Sequence, residues 1–160
     1  MFAEKLQANK KIRRAILKAA ENNLPIYAEY GGFMYLMESI TDFSGKNFEM
    51  CGVIPARAVM TDKLQTVGYI DAEILSDCII GNVGDKIHAH EFHFSTAETD
   101  KNIFSCKRMR TGKIYRAGFF TENIVASYLH IHFAGCQTAA ENFVKACKNF
   151  NQKSPSVDEP

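Results

Sequence analysis

The sequence has little of three features that mark special classes of protein: excess charge of one sign, paired cysteines and long apolar runs. Its 19 Lys and Arg residues nearly balance its 18 Asp and Glu residues, which leaves a net charge of +1. No apolar stretch approaches the roughly 20 residues that a membrane-spanning helix needs, and no signal-peptide core is present near Met1. We therefore expect neither nucleic acid nor a membrane as a partner.

The five cysteines are odd in number and contain no CxxC spacing. This pattern argues against a disulfide framework and against a zinc knuckle, and it is typical of a protein in a reducing compartment. We expect a cytoplasmic location and no bound metal. The cysteines are Cys51, Cys78, Cys106, Cys136 and Cys147.

The composition predicts one globular domain of ordinary size. The 160 residues are 46% hydrophobic and 23% charged, which is enough apolar material for a core. We place this domain at residues 1–150 and a polar, Pro-containing tail at 151–160. The dense basic run at residues 10–14 (KKIRR) lies in an amphipathic pattern and is predicted to be a solvated helix face.

The first forty residues predict helix, strand, tight turn and helix. Residues 3–22 place Leu6, Ile12, Ile16 and Ala19 or Ala20 near one face of a helix. The apolar run 24–28 is typical of a buried parallel strand, a Gly-Gly pair follows, and 33–38 has a helical composition. This order predicts an α/β fold with an open, mostly parallel sheet flanked by helices.

The middle of the chain predicts antiparallel strands added to that sheet. Short β-type runs are separated by Gly, Asp, Asn and Thr, as in hairpins. Residues 125–133 predict one more strand or a strand and turn, and 138–150 predict a closing helix with a single apolar stripe. The hairpin runs are residues 53–54, 67–70, 72–75, 92–94 and 114–117.

Residues 28–32 (AEYGG) have the pattern of a nucleophile elbow, in which a strand ends in a sharp turn before a helix. The first amides of the helix, at Gly31 and Gly32, would then be available to an oxyanion. The residue at the tip is Tyr30, whose phenol has a reference pKa near 10 against about 8.5 for a thiol. Taken alone, a strand followed by Gly-Gly is also compatible with a purely structural turn.

Four segments in order along the chain, the first of which contains the elbow, make this pattern specific. The segments are 24–36 (LPIYAEYGGFMYL), then 52–55 (GVIP) with 60–65 (MTDKLQ) and 68–69 (GY), then 90–95 (HEFHFS), then 126–133 (ASYLHIHF). In order and spacing they resemble the glutamine amidotransferase domain of the cobyrinic acid a,c-diamide synthases, from about residue 2 to 136. The related enzyme that amidates the nickel tetrapyrrole of methanogens shares the pattern.

The resemblance implies a class I glutamine amidotransferase-like fold and a role for individual residues. Tyr30 stands at the position of the catalytic cysteine, and His130 at that of the general base. Gly31 and Gly32 would form the elbow and the oxyanion site. Many class I enzymes orient the base with a Glu two residues later, but His132 stands there, so we expect no carboxylate to orient His130. The remaining candidate supporting residues are Glu91, His93 and His132, each of which is equally compatible with a structural role.

The resemblance also implies partners that are not in this chain. In the family, glutamine is hydrolysed and the ammonia passes to a synthetase domain, which uses ATP and Mg²⁺ to activate two acetate side chains of a corrin precursor. That domain lies N-terminal in the family and carries the phosphate-binding loop. No GxxxxGK[ST] run occurs here, so we expect the ATP-binding half to be absent from this chain. We expect that half to be a partner of this domain, either fused to it or separate. We expect no cofactor in the chain itself.

Two other functions remain open at this stage. The histidines form two clusters and would make a metal-dependent hydrolase if they converged on one zinc ion. A chain without the catalytic thiol is also compatible with a non-catalytic interaction module, and rescue by Cys136 is the least favoured alternative. The clusters are His88, His90 and His93, then His130 and His132.

Overall fold

The computed structural model describes residues 2–153. None of the helices in that range is long and apolar enough to cross a membrane. The elements are α1 (Ala3–Ala8), α2 (Lys10–Glu21), β1 (Ile26–Glu29), α3 (Gly31–Leu36), β2 (Met37–Thr41), β3 (Asn47–Glu49), β4 (Ile54–Met60), β5 (Thr66–Ile74), β6 (Lys86–His93), β7 (Ser95–Thr96), β8 (Phe104–Arg108), β9 (Ile114–Ala117), β10 (Phe119–Phe120), β11 (Ile124–Ser127), β12 (His130–Ile131), a 3₁₀ helix (Phe133–Gly135) and α4 (Gln137–Lys153).

The strands form three sheets rather than one. Their orders are β1-β11-β10, β12-β6-β5-β8-β9 and β3-β2-β4-β7. Within the described residues only β1/β11 and β2/β4 are parallel pairs, and the other pairs are antiparallel. The prediction of a mostly parallel sheet is therefore wrong, because the connections in the middle of the chain are too short for crossovers and turn back as hairpins. The added antiparallel strands are present.

The N-terminal helical segment differs from the prediction in two ways. It is broken at Asn9, whose side chain accepts a hydrogen bond from the Ile12 amide at 3.3 Å and so begins a new helix. The buried residues of α2 are Arg13 and Ala20, whereas Ile12 is 46% exposed. The basic run is therefore not entirely a solvated face, because Arg13 turns into the protein.

The segment after the elbow changes type sooner than its composition indicates. The predicted helix at 33–38 ends at Leu36, and Met37 begins β2, which the sequence pattern did not reveal. Strand β2 lies between β3 and β4, and its Met37 and Ile40 side chains are buried. Pairing on both edges and burial outweigh the helix propensity of this short run.

The C-terminal helix is longer than predicted. Helix α4 continues to Lys153, so residues 151–153 belong to it and not to a tail. The rest of the predicted tail, 154–160, lies outside the described residues. Strand β9 has the predicted bounds, while the run 67–70 and residues 72–74 of the run 72–75 belong to the single strand β5, which ends at Ile74.

Strand β11 separates the two hydrophobic cores of the protein. All four of its residues are buried, and the side chains of its first three residues alternate between the cores. Ile124 and Ala126 face a first core that contains Phe33, and Val125 faces a second core that contains Phe104. This central position fixes the strand that leads directly to His130.

We predict that Arg13 stabilises the fold although it belongs to a basic run. Its guanidinium donates to the Met50 carbonyl oxygen at 3.1 Å and to Glu49 at 2.8 Å, which ties α2 to the segment around β3. Arg13→Ala removes a donor to a buried carbonyl and is expected to lower the free energy of unfolding by about 1–3 kcal/mol. The exposed neighbour Arg14 provides the matched control, because Arg14→Ala is expected to stay within about 0.5 kcal/mol of the parent. Urea denaturation measures both, and equal losses would contradict the prediction.

Candidate active site

Tyr30 lies at the tip of a strand–turn–helix between β1 and α3. Its backbone has φ 49° and ψ −111°, a left-handed conformation that a bulky side chain seldom adopts. The amide of Tyr30 donates to the Ser127 carbonyl oxygen, and its own carbonyl oxygen accepts from the Met34 amide, both at 3.0 Å. A conformation of this kind costs about 1–3 kcal/mol and persists where the surroundings enforce it. The local geometry is that of a nucleophile elbow.

Gly31 and Gly32 are the first two residues of α3, and both are exposed. Their amides belong to the first turn, where backbone N–H groups have no partner within the helix. A Cβ atom at Gly31 would meet no atom within 4 Å, and one at Gly32 would lie 3.5 Å from the Ala28 Cβ. The turn therefore leaves open space above the helix beside Tyr30.

The Tyr30 side chain lies against His130. The two ring centroids are 4.7 Å apart with an interplanar angle of 53°, and the rings of Tyr30 and Tyr128 form a T-shaped pair with centroids 6.5 Å apart. The Tyr30 hydroxyl accepts a hydrogen bond from the Phe92 amide at 2.6 Å. The Tyr30 phenol thus contacts Phe92 and His130, both of which are more than sixty residues away in sequence.

Burial raises the pKa of the Tyr30 phenol above 10.0. The Phe92 amide, which favours the phenolate, opposes this rise, while the carboxylates of Glu91 and Glu29 add to it. The phenol is consequently protonated at neutral pH and is not a nucleophile under those conditions.

A carboxylate does lie against His130, although the sequence pattern predicted none in that role. Glu29 contacts the Nδ1 atom of His130 with its Oε2 atom. Its Oε1 atom accepts from the Ile131 amide at 2.8 Å and from the Tyr27 hydroxyl. The sequence pattern did not reveal Glu29 because the family pattern places such a carboxylate two residues after the histidine, at the position of His132. The available signal was the strand periodicity, which places Tyr27 and Glu29 on one face of β1.

Glu91 and His93 form a buried network behind Tyr128 and do not contact His130 directly. Glu91 is 2% exposed and accepts from the Tyr115 hydroxyl, and its other oxygen lies 3.1 Å from His93 Nε2. His93 Nδ1 lies 2.7 Å from the Ser95 carbonyl oxygen. The imidazole also stacks on Tyr128 at 4.0 Å, so this network supports the ring that borders Tyr30.

The remaining histidines do not converge on a metal site. His90 is paired in register with His130, but His88 contacts Asp71 at 2.6 Å and His132 is exposed ahead of the 3₁₀ helix. Within residues 2–153 no group of three or more His, Cys, Asp or Glu side chains is arranged to hold a metal ion. The geometry therefore does not support the zinc hydrolase alternative. Cys136 packs against the second core beyond the 3₁₀ helix.

We predict that Tyr128 makes the fold sensitive to alkaline pH. Burial raises the pKa of its phenol from 10.0 to about 12. The folded protein then holds this proton more tightly than the unfolded chain, so its contribution is complete below pH 10 and is lost as pH rises towards 12. The loss amounts to about 1.4 kcal/mol for each pH unit in that window. Tyr128→Phe is expected to make the decline of the unfolding free energy with pH less steep. Urea denaturation at a series of pH values across that range measures this decline.

Ser95→Ala is the matched control for Tyr128→Phe. Both substitutions remove the hydrogen bond that the Ser95 hydroxyl donates to Tyr128 at 2.8 Å, but only one removes the ionisable group. Ser95→Ala should therefore keep the alkaline decline. The same pH slope in both variants would show that ionisation of Tyr128 does not cause it.

Comparison with known proteins shows the family. The model of the CobB/CobQ-like glutamine amidotransferase domain matches residues 1–138. The chain is 37% identical over 155 residues to the cobyrinate a,c-diamide synthase of Caldanaerobacter subterraneus subsp. tengcongensis, covering 96% of this chain and 34% of that protein. It is 43% identical over 137 residues to that of Listeria innocua, covering 83% and 30%. The chain thus spans about a third of the length of these relatives.

Solved structures show the fold independently. A glutamine amidotransferase superimposes with a TM-score of 0.60 at 14% identity, over 90% of this chain and 72% of that one. A glutamine amidotransferase from Thermotoga maritima gives a TM-score of 0.54 at 14% identity, over 96% and 61%. The α/β fold is therefore of the class I amidotransferase type, with sheets that are mixed and largely antiparallel. By its sequence match, the chain belongs to the family of CobB/CobQ-like glutamine amidotransferase domains.

Proposed function

We propose that this chain is a glutaminase-type domain in which Tyr30 occupies the nucleophile position and prevents glutamine hydrolysis. The observation that carries the proposal is the position of Tyr30. It lies at the elbow tip with a left-handed backbone, and its ring lies 4.7 Å from that of His130. The resemblance to the synthase family assigns a cysteine to this position and the general base to His130.

The chemistry of the family depends on a thiolate at the elbow. The sulfur attacks the side-chain amide carbon of glutamine and forms a γ-glutamyl thioester, while the histidine takes the thiol proton and returns it to the departing ammonia. Water then cleaves the thioester to give glutamate and the free thiol. A protonated phenol of raised pKa does not start this sequence. The Tyr30 ring also fills space beside His130, where the reacting carbon must approach to about 3–3.5 Å.

The wider setting that we propose is an amidating synthase. The relatives named cobyrinate a,c-diamide synthases are about three times as long as the matched segment, which supports a second unit that activates the acid. By the resemblance, that unit binds ATP and Mg²⁺ and amidates acetate side chains of a corrin precursor. The enzyme that amidates the nickel tetrapyrrole shares the motifs. We therefore propose tetrapyrroles as the substrate class and do not assign one compound.

The first test restores the nucleophile. The unmodified chain is expected to release no ammonia from glutamine and to resist glutamine-mimicking electrophiles. Tyr30→Cys, assayed with the synthetase half of a relative, is expected to gain both activities, because it supplies a thiol and removes the ring. Adding His130→Ala to this variant should lower ammonia release on the order of 10²–10⁴-fold through loss of the base. Tyr30→Ala is the matched control, since it opens the same space without a nucleophile.

Two results would overturn the proposal. Glutamine hydrolysis by the unmodified chain would mean that Tyr30 does not block the reaction. A folded Tyr30→Cys variant that stays inactive and unlabelled beside a competent synthetase half would mean that the elbow is not the nucleophile position.

A further inference from the structure

We propose that Glu29 is a positioning residue that fixes the ring orientation and the tautomer of His130. The carboxylate would take the part that a Glu two residues after the histidine takes in many class I enzymes, but from the strand that precedes the nucleophile position. Its catalytic consequence depends on the proposed function. The effect of Glu29 on the His130 ring does not depend on the proposed function, because it is a property of the unmodified chain.

The contacts of Glu29 leave its carboxylate little freedom. The side chain is 18% exposed, and both oxygens are engaged. One oxygen accepts from the Tyr27 hydroxyl and the Ile131 amide, and the other faces His130 Nδ1. A carboxylate only accepts hydrogen bonds, so Nδ1 must carry the proton. In the neutral ring Nε2 then keeps its lone pair, which is the arrangement that a general base requires.

The sheet explains why a residue beside the elbow reaches this ring. The parallel pairing of β1 with β11 places Glu29 level with Ser127, three residues before His130. The chain then turns, and His130 pairs with His90 of β6 as β12 begins. Because Glu29 binds the backbone amide of Ile131 as well as the ring of His130, it fixes the base and the backbone that carries the base.

A merely structural role for Glu29 makes a different prediction from a positioning role. Either role predicts some loss of stability when the carboxylate is removed, since the Ile131 amide and the Tyr27 hydroxyl lose an acceptor. Only the positioning role predicts a change in which nitrogen of His130 carries the proton. The tautomer is therefore the discriminating measurement.

Glu29→Gln gives the sharpest test because it keeps the shape of the side chain. Its carbonyl oxygen can still accept from Tyr27 and Ile131, which leaves the amide NH₂ group facing His130 Nδ1. That nitrogen must then accept, and the proton moves to Nε2. We expect ¹⁵N NMR of the imidazoles, at a pH where they are neutral, to show the Nδ1–H form of His130 in the unmodified chain and the Nε2–H form in Glu29→Gln. His130→Ala assigns the resonances.

A second histidine–carboxylate pair in the same chain supplies the control. His88 Nδ1 lies 2.6 Å from Asp71 on the exposed face of β6. Asp71→Ala should therefore leave the His130 signals unchanged. The Nε2–H form in the unmodified chain, or retention of the Nδ1–H form in a folded Glu29→Gln variant, would overturn the proposal. The first of these measurements stands even if the variant does not fold.

The catalytic consequence is tested in the Tyr30→Cys background. Adding Glu29→Gln is expected to lower kcat on the order of 10²-fold or more, with KM within about twofold, because both Glu29 oxygens are already engaged by groups of the protein itself. An unchanged kcat in that background would contradict the positioning role. If Tyr30→Cys itself is inactive, the proposed function fails, while the tautomer measurement still decides the role of Glu29.

Discussion

The parallel pairing of β1 with β11 is the constraint on which the candidate site depends. Its register, Ile26 with Ile124 through Glu29 with Ser127, brings residues about one hundred positions apart to the same end of a sheet. The Tyr30 amide continues the ladder by donating to the Ser127 carbonyl oxygen. Because β11 is buried between two cores, this register has no freedom to slip, and the chain that leaves it must present His130 beside Tyr30.

The sequence allowed accurate predictions where the signal was local. The apolar run 24–28 predicted the elbow strand to within two residues, and the runs in the middle of the chain predicted antiparallel strands. The failures concern partners that are distant in sequence. Arg13 is buried because Met50 offers a carbonyl oxygen, and β2 is a strand because β3 and β4 flank it. No window of the sequence contains such information, since tertiary contacts decide it.

Glu29 illustrates the same limit within the site. A sequence motif describes the carboxylate by its number of residues from the histidine. The hydrogen bond to the imidazole ring depends instead on the distance and direction of the carboxylate oxygen in space. The sheet register converts an offset of 101 residues into a direct contact between Glu29 and His130. The carboxylate beside His130 is therefore Glu29, and not the residue two positions after the histidine, which is His132.

The geometry of the elbow does not depend on the chemistry of the residue at its tip. Tyr30 is held in its left-handed conformation by bonds that any residue would make: its amide to Ser127 and its carbonyl oxygen to Met34. The phenol adds one more contact, with the Phe92 amide. A strain of about 1–3 kcal/mol persists when the frame enforces it, and here strand β1 and helix α3 are that frame. Glu29 and His130 are likewise held by the sheet register and by their mutual contact, so a substitution at position 30 is expected to leave the rest of the arrangement in place.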